Sequence, residues 1–101
     1  MSDEEGSGWR FLTNHGAALL YIASSPDTTL REVAAAVGIT ERAAARIVKE
    51  LRDGGYVTAE RIGRRNTYTL HVDAPLRHPL VAGRDVRALL DALTEGGVTA
   101  K

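Results

Sequence analysis

Apolar residues recur at helical spacing three times in the first half of the chain. Ala18, Leu19, Ile22 and Ala23 predict a helix over 14–24 with Thr13 placed to cap it, and Ser24-Ser25-Pro26-Asp27 breaks the run. Leu30, Val33, Ala34 and Val37 form a second stripe over 30–37. Thr29-Leu30-Arg31-Glu32 opens it as a capping box, in which the threonine hydroxyl accepts from the N3 amide and the glutamate reaches back to the cap. Gly38 suits the position after that helix, where positive φ is needed without a Cβ penalty, and Ile39 is expected to be buried in the turn. Thr40 then caps a third helix, 41–53, whose Ala44, Ile47, Val48 and Leu51 define one buried face before Gly54-Gly55 stops it.

From residue 56 the period shortens towards two. Residues 56–62 and 67–71 are rich in β-branched and aromatic side chains and read as strands, joined by a loop of Gly63-Arg64-Arg65-Asn66. Two prolines make Val72 to Leu80 an irregular connector. Val86, Leu89, Leu90 and Leu93 mark a last helix over about 84–95, ended by Gly96-Gly97. Polar, acidic residues 1–8 are expected to form a flexible leader and 96–101 a flexible tail, leaving 9–95 as the domain. This order describes a mainly α fold with a β-hairpin wing, a winged helix-turn-helix. In such units the second helix of the motif docks in the DNA major groove.

Composition sets limits on chemistry. The chain has 101 residues, enough for one domain, and no cysteine, which excludes disulfides, thiolate chemistry and sulfur-bound zinc. The acidic start Met1-Ser2-Asp3-Glu4-Glu5 is unlike a signal peptide, and no apolar run is long enough for a membrane span. A soluble, cytoplasmic protein is expected. Thirteen basic residues balance thirteen acidic ones, a neutrality that argues at first against a nucleic-acid partner. Mapped along the chain, however, residues 41–66 hold seven basic and four acidic side chains, a net of +3, and the remainder carries −3. Local sign, not total charge, decides attraction to phosphate.

If helix 41–53 buries its apolar stripe, it turns Glu41, Arg42, Ala45, Arg46, Lys49 and Arg52 outward. Arg42 and Arg46 stand in the half of a recognition helix nearest the bases, where Arg donates bidentately to guanine O6 and N7. Thr40 is a cap and a candidate phosphate contact, whereas Ala43 and Ala45 permit close approach or meet a thymine methyl. Glu41 either accepts from cytosine or favours the positive helix terminus, Lys49 faces DNA or solvent, and Arg52 reads as a surface ion-pair residue. Arg64 and Arg65, flanked by Arg61 and Asn66, are placed to reach phosphate or a narrow minor groove; the alternative is a solvated charged turn.

Catalytic patterns are missing. His15, His71 and His78 form no closely spaced pair, and neither a phosphate-binding GxxxxGK[ST] loop nor a GxSxG elbow occurs. No enzyme, metal or cofactor is therefore expected. Trp9 either anchors a partner subunit or packs on its own domain. With Leu12 and the stripe Val86, Leu89, Leu90 and Leu93, it suggests a homodimer surface, since the last helix has little left to bury against once three helices fill the core. A two-fold dimer would set two recognition helices about one DNA turn apart, as a palindromic operator requires.

Segment 30–57 runs from Leu30-Arg31-Glu32-Val33-Ala34 through Val37-Gly38-Ile39-Thr40-Glu41-Arg42 to Leu51-Arg52-Asp53-Gly54-Gly55-Tyr56-Val57. It resembles the DNA-binding core of MarR-like winged helix-turn-helix transcription regulators, and Gly63-Arg64-Arg65-Asn66 resembles their wing. The start Trp9 to His15 and the connector Asp73 to Leu80 are similar to a compact bacterial subgroup. The resemblance implies double-stranded DNA as partner, with Thr40, Arg42, Ala43, Ala45, Arg46, Arg64 and Arg65 at positions that meet it. Ala43 and Ala45 replace the Ser, Thr or Gln common there. The chain is also short for the long terminal helices that build the family's ligand cavity, so a small-molecule effector is not favoured. Two alternatives remain: a nonspecific or architectural DNA binder, and a protein–protein interaction module.

Overall fold

The computed structural model describes residues 10–94. The expected leader 1–8, Trp9 and the tail 96–101 lie outside these. Helix α1 (Asn14–Ser24) starts where Thr13 Oγ1 accepts from Gly16 N at 3.1 Å. Helix α2 (Leu30–Val37) has both halves of its capping box: Glu32 N donates to Thr29 Oγ1 and Thr29 N to Glu32 Oε1, each at 3.1 Å. Gly38 closes it at φ +87°, so the chain turns at once into helix α3 (Glu41–Asp53), capped by Thr40. The expected apolar faces of all three helices meet in one core, joined by Val57, Tyr68 and Leu70. Ile39 is half-buried and packs against that core from the turn.

The sheet has three strands rather than two. β1 (Asp27–Thr28), β2 (Val57–Ile62) and β3 (Arg65–Leu70) are antiparallel in the order β1-β3-β2. β1 lies in the stretch expected only to break the first helix. It pairs Asp27 with Thr67 and Thr28 with Asn66, and Tyr68 N donates to Pro26 O at 2.8 Å. Thr28 is fully buried yet satisfied, donating to Glu32 Oε1 at 2.9 Å with Tyr21 Oη 3.3 Å away. The hairpin loop is shorter than expected. Ile62 pairs with Arg65, leaving Gly63 (φ +65°) and Arg64 to make the turn, with glycine first as in II′ hairpins.

Helix α4 (Val86–Leu93), capped by Asp85, is shorter than the expected 84–95. The connector runs back along its approach: Val86 N donates to Ala74 O and Arg87 N to Val72 O, both at 2.9 Å. Leu76 N donates to Arg84 O at 3.0 Å, and Pro79–Val81 forms a 3-10 turn. The expectation that this helix lacks a home in its own chain is corrected. Val86 and Leu90 are 0 % exposed, and α4 packs against α1, so neither residue has surface to offer a partner subunit. Leu12 and Leu89 are half-buried and Leu93 is 51 % exposed. Among the described residues no helix is long and apolar enough to cross a membrane.

Candidate nucleic-acid interface

Helix periodicity and strand alternation together decide where each charged side chain points. On α3, burial of Ala44, Ile47, Val48 and Leu51 leaves Glu41, Arg42, Arg46, Lys49 and Arg52 exposed, with Ala43 and Ala45 half-buried. Arg42 carries no ion pair among the described residues. Arg46 Nη1 lies 3.4 Å from Glu50 Oε1, and Lys49 Nζ 2.8 Å from Asp53 Oδ2, both across one helical turn. Such exposed pairs are weak and screened, so phosphate can displace the acids.

The wing turns its two faces to different tasks. Cross-strand pairing puts Val57, Ala59, Arg61, Asn66, Tyr68 and Leu70 on the face towards α3. There Arg61 and Asn66 line a groove with Ala45, Lys49 and Arg52. A second groove, nearer the wing tip, brings Arg61, Arg64 and Asn66 to Glu41, Thr29, Leu30 and Arg31. Arg61 Nε donates to Gly63 O at 2.9 Å, which fixes its stem beside the turn.

Arg65 departs from the expectation of a free tip cation. Its Nη2 donates to Asp27 O at 2.9 Å and to Glu32 Oε1 at 3.0 Å, and its Nε lies 3.3 Å from Asp27 Oδ1. The register explains this: Arg65 opens β3, and its side chain crosses the end of β1 to the cap of α2. The Glu32 carboxyl is held below its ordinary value, first by the Thr28 hydroxyl, then by the Thr29 amide and by Arg65. Arg65 is in turn held more firmly protonated, chiefly by the charge of Glu32.

Two cations in these grooves escaped sequence reasoning. Arg52, read as an ion-pair residue, forms no ion pair among the described residues and faces the wing. Arg31 sits in the first turn of α2 and lines the tip groove; its outward position opposite Val33, Ala34 and Val37 was the available signal. The histidines are separate. His15 Nε2 is 2.6 Å from Glu50 Oε1, tying α1 to α3, and this bond is the first cause of a lowered Glu50 carboxyl. His71 pairs with the Thr58 hydroxyl, and His78 Nδ1 accepts from Leu80 N at 3.1 Å as the cap of the 3-10 turn. Among the described residues no group of three or more His, Cys, Asp or Glu is placed to hold a metal.

Three helices with a tight turn before the third, followed by a hairpin flanking it, make this a winged helix-turn-helix protein of the DNA-binding type. Residues 12–65 match the MarR family, and the chain belongs to that family. Its members are DNA-binding transcription regulators, not enzymes. No curated protein matches the chain significantly.

Proposed function

We propose that the protein is a sequence-specific transcriptional regulator that binds a palindromic operator as a homodimer. The observation that carries this is the exposure of Arg42 and Arg46 on α3, together with the grooves in which Arg61 and Arg64 of the wing meet Glu41, and Arg61 meets Ala45, Lys49 and Arg52, of the same helix. Helix α3 enters the major groove, with Arg42 and Arg46 reading base edges and Thr40, Glu41, Ala43 and Ala45 setting the approach. Arg61, Arg64, Asn66 and Lys49 meet phosphate or the adjacent minor groove, which fixes register without reading sequence. Arg65 serves through the wing's position rather than through direct contact, given its bonds to Asp27 and Glu32. Regulation follows from promoter occupancy and obstruction of polymerase.

The dimer surface is proposed around Trp9, Leu12, Leu89 and Leu93, the last with half its surface exposed at the end of α4. Two copies related by a two-fold axis would present α3 to half-sites about 10–10.5 bp apart. Selection from a randomised duplex library at moderate salt tests the reading. It should enrich a motif with inverted half-sites, and sedimentation should show a dimer. Failure to enrich any motif overturns sequence-specific regulation. A nonspecific binder is the second reading, favoured by the small side chains of Ala43 and Ala45 near the start of α3; it expects little difference between selected and bulk DNA.

A further inference from the structure

The outer end of the hairpin has no apolar anchor. Burial along it stops at Val57 on β2 and at Tyr68 and Leu70 on β3, whereas every residue from Glu60 to Arg65 is exposed. A two-stranded hairpin without a packed face is marginal in water. The tip therefore depends on polar ties to the rest of the fold, and the one that reaches helix α2 runs through Glu32. One oxygen of that carboxylate accepts from Thr28 Oγ1 at 2.9 Å, from Thr29 N at 3.1 Å and from Arg65 Nη2 at 3.0 Å. The first two bonds lock the carboxylate to the start of α2, and the third extends that lock to β3. Asp27 also meets Arg65, through its carbonyl oxygen at 2.9 Å and its 68 % exposed carboxylate at 3.3 Å, but these contacts hold the hairpin only to β1 and not to α2.

We propose that Glu32 is a positioning residue for DNA binding: by holding Arg65 it ties the wing to the cap of α2 and sets where Arg61 and Arg64 stand over the nucleic acid. The proposal rests on the DNA-binding reading above. It makes an acidic residue favourable to binding a polyanion, and this gives the test its sign. A carboxylate merely near DNA repels phosphate, so neutralising it strengthens binding and frees Arg65 as an additional cation. A carboxylate that positions the wing does the opposite.

Glu32→Gln separates the two. Glutamine serves at N3 of a capping box as glutamate does, so α2 keeps its cap while Arg65 loses the carboxylate charge that ties it to α2 and keeps only Asp27. In the full chain, titrated against a labelled mixed-sequence duplex across a salt series, the variant should bind roughly three- to tenfold more weakly. Its salt dependence should be shallower by about one phosphate contact. Amide hydrogen exchange in the free protein should speed up over 61–66 and stay unchanged in the interior of α3. Binding as tight as the parent's or tighter, with unchanged exchange at the tip, overturns the proposal. If the parent binds no duplex at all, the proposed function fails, and exchange at the tip alone decides whether Glu32 holds the wing.

Discussion

Helix α3 and the wing both present cations, with Lys49 and Arg52 lining one groove with Arg61, but they secure them by opposite means. On α3 the partners are local: Arg46 meets Glu50 and Lys49 meets Asp53, each four residues along. In the wing, Arg65 meets Asp27 and Glu32, 38 and 33 residues away. The helix is aimed by its own buried stripe, which the core grips from end to end. The hairpin tip has no such stripe and is aimed by a polar bracket to another element. Under the proposed function, reading and positioning thus rest on different physics, and perturbations should separate them.

The largest effect should come from the grip on α3. Ile47 is 1 % exposed, and Ile47→Ala should cost about 2–5 kcal/mol of stability through lost burial and the cavity left behind. A urea titration reads this, and it should abolish both regions together because both hang on one core. Arg42→Ala should leave that urea midpoint unchanged while lowering affinity for a selected duplex roughly tenfold or more. A parallel loss of stability would mean that Arg42 serves the fold instead. Gly63→Ala acts on the wing alone: φ +65° strains any residue with a Cβ, at a cost of about 1 kcal/mol, with faster exchange confined to the hairpin.

The smallest effect is that of acid. Glu32, Glu50 and Asp53 all have carboxyls held below their ordinary values of 4.5, 4.5 and 3.8, the first by Thr28, the second by His15 and the third by Lys49. Their contribution is complete above those ordinary values and is lost as pH falls through the lower folded-state values. Stability should therefore be flat in these groups near neutrality and decline modestly on the acid side, the pairs being solvent-exposed. In the Glu32→Gln variant the share of that decline belonging to the wing bracket should vanish.

What the sequence disclosed follows the same division. Thr13, Thr29 and Thr40 announced three helix starts because capping is settled within four residues, and Gly38 announced the turn for the same reason. The outward face of α3 followed from periodicity alone. β1 was illegible because two residues carry no period, and its identity as a strand comes only from pairing with residues about 40 positions on. Arg65 looked like its neighbour Arg64 until the register sent it to the cap of α2. Val86 and Leu90 looked available for a partner because nothing local says that α1 has room for them. Arg52 and Arg31 were visible as charges but not as groove residues, since the grooves exist only once the hairpin folds beside α3.

The division of labour between helix and wing can be measured in one comparison. Arg46→Ala and Arg64→Ala are each titrated against the duplex enriched by selection and against a scrambled duplex of the same length and composition. The account requires Arg46→Ala to collapse the ratio of the two affinities, while Arg64→Ala weakens both about equally and leaves the ratio intact. If both variants weaken the two duplexes alike, or if Arg64→Ala alone erases the preference, α3 is not the reader and the account is wrong.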